Sequence, residues 1–283
     1  MSIDMPFGLL SSWQVLAPLG DLFQFSANFD RFSSSIRLVV DGTANLLLLA
    51  PVSVVILFIS GLSWWLHRRW SIIAVVFGSL FIIANLSFWR ETMQTLTLIC
   101  YASLLSVLIG VPLGIVVGHR PRLHKMLLPA LDLMQTLPPF IYLIPTLVLF
   151  GIGTVPALLS TVIFSMPALV RLTQLGISSV PVLFLEVGKA FGATKWQLLW
   201  KVEVPHALPS IMAGVHQCVM LSLSMVVISA LVGAGGLGIP VVRALNTINV
   251  LLGLEAGITV VLLAIVLDLL TRVPGAFRRR KHS

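Results

Sequence analysis

Residues 92–118 read TMQTLTLICYASLLSVLIGVPLGIVVG, without one charged side chain, and this run decides which solvent the fold is built for. A helix of about 20 apolar residues crosses the roughly 30 Å hydrocarbon core of a bilayer. Where no water is at hand, the backbone must satisfy its own polar groups, and a continuous helix does so. The whole chain has the same character: 58% of its 283 residues are hydrophobic and 10% are charged, against roughly 45–50% and about 25% in soluble domains. The expected fold class is an all-α integral membrane protein.

Charge-free runs at residues 46–66 and 70–89 each suit one further helix. Residues 133–170 carry no charge either, but Gly151, Gly153 and Pro156 punctuate them, which predicts two helices joined by a short turn. A sixth span is expected over residues 208–232 and a seventh over 250–271, the last interrupted by Glu255 and Asp268. About seven transmembrane helices result. If the first span enters from outside, fourteen of the 18 Lys and Arg side chains fall on inner segments, leaving Arg31, Arg37, Arg90 and Arg243 outside. That asymmetry predicts an N-terminus outside and a C-terminus in the cytoplasm, and it accounts for the formal charge of +8 without nucleic acid. Residues 28–45 mix apolar and charged side chains and suit either an interfacial helix or a loosely tied terminus. No Lys or Arg precedes Arg31, so the cationic start of a secretory signal is missing and this segment is read as retained.

Between the fifth and sixth spans lies SSVPVLFLEVGKAFGATKWQLLWKVEVPHALPS, residues 178–210, unusually apolar and helix-prone for a loop. Its pattern predicts two short helices meeting near Gly192, with Thr194 as an N-cap and Pro205 closing the second. Such a pair exposes Ala190, Phe191 and Ala193, an apolar surface that asks for a partner. Small residues at Gly188, Ala190, Gly192 and Ala193 would let that partner approach the backbone closely. The alternative is an amphipathic hairpin lying on the bilayer.

The spacing of this loop resembles the cytoplasmic "EAA" loop of permeases in binding-protein-dependent ABC importers: E-A-A, three residues, G, nine residues, I, any residue, L-P. Here Glu186-Val187-Gly188 is followed at the same spacing by Gly192 and by Val202-Glu203-Val204-Pro205. In that family the loop is a coupling helix seated in a groove of the ATPase subunit. The resemblance therefore implies that Glu186, Val187, Gly188, Lys189, Ala190, Phe191, Gly192 and Ala193 contact a cytoplasmic ATP-binding subunit. A second resemblance covers roughly residues 90–272. The runs LPALDLMQTLPPFIYLIPTLVLFGIGTVPALL and MLSLSMVVISALVGAGGLG look like the permeases of glycine betaine, proline betaine and choline importers. Those permeases share DLMQTxPAFVYLxP, FGIGxVP and MLxLSMVVI segments; Pro139 stands here for Ala and His216 for Asn.

The resemblance implies an extracytoplasmic substrate-binding protein, a second permease copy in a homodimer, and a bacterial inner-membrane location. It also implies ATP and Mg held by the partner ATPase, with no cofactor on this chain. The expected organisation is an extracytoplasmic or interfacial segment over 1–45, two accessory transmembrane helices over 46–89, a permease core over 90–272 and a basic cytoplasmic tail over 273–283. The expected function is translocation of a quaternary-ammonium solute; the alternative is an ion-coupled secondary transporter. The alternative would place acidic or basic coupling residues at mid-membrane, whereas the charges here fall near span ends or in loops.

Several remaining motifs narrow the reading. No GxxxxGK[ST] occurs, so ATP is expected on another chain. Residues 233–238, GAGGLG, satisfy GxGxxG, but a membrane helix precedes them instead of a strand, and they are read as a tight turn or re-entrant bend. Met134-Gln135-Thr136-Leu137-Pro138-Pro139 should kink or break its helix. Broken helices with inward polar groups line many transport paths, and Gln135, Thr136, Ser222, Ser224 and Met225 are the candidates here. Asp132 with Arg171, and Asp268 with Arg272, are expected to pair structurally. Cys100 and Cys218 are read as packing residues. The scattered histidines give no metal-ligand spacing, and no catalytic set of nucleophile and base emerges.

Overall fold

The computed structural model describes residues 26–272, with side chains from residue 33 onward, and every regular element among them is helical. Residues 1–25 of the expected N-terminal segment and the basic tail 273–283 lie outside the described residues. In chain order the helices are α1 (Ser26–Leu49), α2 (Val52–His67), α3 (Trp70–Asn85), α4 (Trp89–His119), α5 (Pro121–Thr136), α6 (Phe140–Phe150) and α7 (Thr154–Ser178). They continue as α8 (Val182–Ala190), α9 (Lys195–Leu198), a π turn (Leu199–Glu203), α10 (Val204–Ser229), α11 (Gly238–Thr247) and α12 (Val250–Thr271).

At the centre α7 packs between α4 and α10. Gly110, Gly114 and Gly118 recur every fourth residue of α4 and face Leu169, Thr173 and Ile177, which recur at the same interval on α7. A Cβ on Gly114 would stand 2.6 Å from Thr173 Cβ, and one on Gly118 would stand 2.9 Å from Ile177 Cγ2. The same Leu169 also meets α10, where Gly214 admits its Cδ1 at 2.9 Å from where the Cβ would be. Lipid tails are as apolar as leucine, so helices in a membrane gain by close van der Waals approach, and small residues permit it. The α2–α3 hairpin and α12 form an outer layer against α4 and α10 through Val76, Leu80, Ile83, Leu98, Leu263 and Val266, all buried.

The first expected span is not one helix. Helix α1 runs on through Leu49, the chain turns by 105° at Ala50 and Pro51, and α2 begins at Val52. Proline has no N–H and a fixed φ, here −54°, so Pro51 starts a helix where it could not continue one. Residues 28–45 are thus helical, and Val40 is buried among Ala102, Leu158 and Val162 of α4 and α7. Each 16-residue member of the α2–α3 hairpin is about 24 Å long, shorter than a roughly 30 Å bilayer core. Four segments are long and apolar enough to cross alone, namely α4, α7, Lys195–Val232 and α12; counting each bent helix pair as one span raises this to as many as six, and α3 is a further, shorter apolar helix. The expected seventh span coincides with α12, whose start Asn249 caps by accepting from Leu252 N–H at 3.1 Å.

Residues 133–170 divide at Gly151 and Gly153, both with positive φ, as their glycines predict. They divide again at Leu137, Pro138 and Pro139, where α5 and α6 meet at 94°. Gly233 (φ 76°) and Gly236 (φ 110°) make the tight turn after α10, and Leu237 N–H donates to Thr95 Oγ1 of α4 at 2.8 Å. Cys218 is buried within 3.4 Å of Ser165 Oγ, whereas Cys100 on α4 is exposed.

Candidate coupling hairpin and transport path

Helix α8 ends in a Schellman motif: Gly192 takes φ +77°, its N–H donates to Lys189 C=O at 2.9 Å, and Ala193 N–H reaches Gly188 C=O at 3.0 Å. The next residue opens α9 with a capping box. Gln197 N–H donates to Thr194 Oγ1 at 3.3 Å, and Thr194 N–H donates to Gln197 Oε1 at 2.9 Å. Two helix ends meeting across two residues are thereby satisfied without outside help. Leu198, buried, fills the space beside Gly188, where a Cβ would lie 2.5 Å from Leu198 Cδ1.

The hairpin therefore folds on itself and leaves an apolar face outward. Helix α8 buries none of its residues. Phe191 at the turn is 88% exposed, and Leu183, Val187, Trp196 and Trp200 are exposed beside it. Glu186, Lys189, Ala190 and Gly192 are exposed as well, and Ala193 is half-buried. Gly188 is half-buried, with Leu198 against the position its Cβ would take. Pro205 departs from expectation. It does not end the second helix; Val204 N–H bonds five residues back to Leu199 C=O, and the resulting π turn carries α9 straight into α10. Proline supplies no N–H to regular α-bonding, and a widened turn at its N-terminal side accommodates it.

One acidic side chain of the π turn is buried. Glu203 Oε2 lies 2.6 Å from His119 Nε2 on the last turn of α4, and His119 Nδ1 lies 2.8 Å from Ile115 C=O. Sequence reading met Glu203 only as a position of the loop pattern and did not pair it with His119, 84 positions away.

The path candidates fall on two sides of the fold. Gln135 is half-buried and Thr136 exposed at the α5–α6 break, where Thr136 Oγ1 donates to Leu133 C=O at 3.1 Å. Tyr142 of α6 folds back over the break and donates its hydroxyl proton to Met134 C=O. Ser224 is exposed on α10. Met225 is fully buried against Tyr142 and Leu143, and Ser222 is fully buried with its hydroxyl unpartnered. Three residues apart, those two share the inward side of α10 while Ser224 faces away. Ser222 and Met225 are thus covered within this chain, unlike Ser224. The two expected charge pairs do form. Arg171 Nη2 donates to Asp132 Oδ1 across α7 and α5, and Arg272 Nη2 stands 2.7 Å from Asp268 Oδ2. His216, which sequence reading left unassigned, joins the second pair at 3.3 Å from Asp268 Oδ1.

At the opposite end of α4, a polar cleft of about 290 Å³ opens between α1 and α4, with Arg37, Asp41, Arg90 and Gln94 on its walls. Asp41 Oδ1 accepts from Thr154 Oγ1 at 3.1 Å, holding α1 to the start of α7.

Comparison with known proteins agrees with this architecture. Residues 110–276 match the model of the family described as "Binding-protein-dependent transport system inner membrane component". The chain is 41% identical to the glycine betaine/carnitine transport permease protein GbuB of Listeria monocytogenes, covering 99% of both chains. It is 40% identical to the glycine betaine transport system permease protein OpuAB of Bacillus subtilis, covering 88% of each. It is 41% identical to the glycine betaine/proline betaine permease ProW of Escherichia coli, covering 87% of this chain and 69% of ProW. A chain of the MetNI methionine ABC transporter, solved facing inward, superposes with a TM-score of 0.58 at 23% identity, covering 63% of this chain and 90% of that one, a likeness of fold. The protein is an inner-membrane permease and belongs to the family of binding-protein-dependent transport system inner membrane components.

Proposed function

We propose that this permease carries a quaternary-ammonium solute, glycine betaine foremost, and that a separate ATPase subunit seated on the α8–α9 hairpin drives it. The observation that carries the coupling reading is the outward apolar face of the hairpin, with Phe191 88% exposed at its tip on a backbone already satisfied within itself. A self-satisfied fold that leaves large aromatics in water has kept them for a partner. The substrate class rests on the relatives, whose names specify glycine betaine with carnitine or proline betaine. Glu186, Val187, Lys189, Ala190, Phe191, Gly192 and Ala193 are the proposed contacts, and ATP with Mg belongs to the ATPase.

An extracytoplasmic binding protein delivers the solute, and a second copy of the chain completes the path, with Gln135, Thr136 and Ser224 among its lining. Charge supports transport driven by ATP over ion coupling: in the Asp132–Arg171 and Asp268–Arg272 pairs each carboxylate is matched by a guanidinium of this chain. Proteoliposomes holding the chain, the ATPase and the binding protein should take up radiolabelled glycine betaine only with ATP inside. Uptake driven by an ion gradient without the ATPase would overturn the proposal.

A further inference from the structure

The chemistry at His119 and Glu203 is more specific than helix packing requires. A carbonyl oxygen only accepts, so His119 Nδ1, 2.8 Å from Ile115 C=O, carries a hydrogen. A second proton must then lie between Nε2 and Glu203 Oε2 to support a contact of 2.6 Å. The pair holds that proton as imidazolium and carboxylate or as imidazole and carboxylic acid, and in either form the contact is a strong hydrogen bond. Glu203 is 6% exposed, so water does not substitute for His119.

Its position gives the bond a use. The π turn Leu199–Glu203 is the joint between the proposed docking hairpin and α10. Wider than an α-helix, a π turn is a compliant element, and such turns recur at functional sites. Glu203 is its last residue and crosses from it to the end of α4, the helix that packs through its glycine stripe on α7. Apolar contact of Ile177, Ala207 and Ile211 with Leu199 lies beside the bond and has no comparable directionality.

We infer that His119 and Glu203 are positioning residues that brace the π turn against α4, so that movement of the ATPase-bound hairpin reaches the transmembrane core instead of being absorbed in the turn. The inference rests on the proposed docking reading. His119 is 44% exposed at its side chain and is the safer residue to change. Removing it alone would strand a buried carboxylate, so the decisive variant is the double change His119→Ala with Glu203→Gln, which removes brace and charge together. The control is Glu203→Gln alone, whose carboxamide still donates a hydrogen bond to Nε2.

The complex with ATPase and binding protein is reconstituted, and glycine betaine uptake per ATP hydrolysed is measured alongside co-purification of the ATPase. The double variant should keep its ATPase and hydrolyse ATP within twofold of wild type while uptake per ATP falls tenfold or more. Glu203→Gln should hold that ratio within twofold. A purely structural bond would lower yield and assembly and leave the ratio unchanged in whatever complex forms. An unchanged ratio in the double variant, or equal losses in both variants, overturns the brace and leaves docking intact. Failure of the unmodified chain to hold its ATPase would overturn the docking reading and the brace with it.

Discussion

Gly114 and Gly192 lack the same Cβ for opposite reasons. At Gly114 the space is taken: Thr173 Cβ would be 2.6 Å away, and Val170 C=O would be 2.8 Å away. At Gly192 nothing lies within 4 Å, and the constraint is a φ of +77°, which costs a side chain with a Cβ roughly 1–2 kcal/mol. Gly114→Val should therefore overpack the α4–α7 contact by about 1–3 kcal/mol and lower the amount of chain recovered from membranes. Gly192→Val should leave recovery near wild type while the ATPase no longer co-purifies, and Gly192→Asn, tolerant of positive φ, should keep both. Normal ATPase capture by Gly192→Val would mean that the turn is not part of the docking surface. Phe191→Ser should weaken ATPase binding by about 2 kcal/mol, roughly thirtyfold in Kd, as aromatic anchors at interface centres do. A change under threefold by titration in detergent would remove Phe191 from the contact.

Among the elements, α9 is the first turn of a helical run that continues through the π turn into α10, and a first turn leaves N–H groups that need caps. Its two cap bonds and Leu198 hold it. Thr194→Ala should cost about 1 kcal/mol locally, seen as roughly fivefold faster hydrogen exchange at Gln197 with no change in the transmembrane helices. Equal exchange in both proteins would show that packing of Leu198 alone maintains the hairpin. Thr194 could be read as a cap from its place before a helix-prone run, and the split at Gly151 and Gly153 could be read from the two glycines. The π turn could not. A proline at position 205 signals an end to regular bonding, but whether the chain stops or widens depends on how α4 and α7 pack against α10.

At the scale of the molecule, α7 is enclosed by its neighbours while α2, α3 and α12 present Phe58, Phe81 and Val261 outward, as a lipid-facing layer would. The charge asymmetry between segments sets the expected orientation. Reporters fused at Ser2 and Ser283 should label from opposite sides of the membrane; labelling of both from one side would remove one span from the expected count. The purified chain alone should hydrolyse no ATP, with activity appearing on addition of its ATPase. Hydrolysis by the homogeneous chain would contradict the proposed division of labour.

Composition and charge-free runs by themselves determined the solvent, the helical class and the positions of α4, α7, α10 and α12, because a bilayer demands length and apolarity in one continuous stretch, and both are local properties of sequence. The spacing from Glu186 to Pro205 likewise marked the hairpin. The docking of α1 was decided by tertiary contacts at Val40, since a run of apolar residues reads alike whether it crosses lipid or folds back onto protein. The inward burial of Met225 and the use of Gly188 for Leu198 were settled in the same way, by which face of each helix a neighbour covers. The bond between His119 and Glu203 exists only because α4 and the π turn end side by side, a juxtaposition that no local pattern encodes.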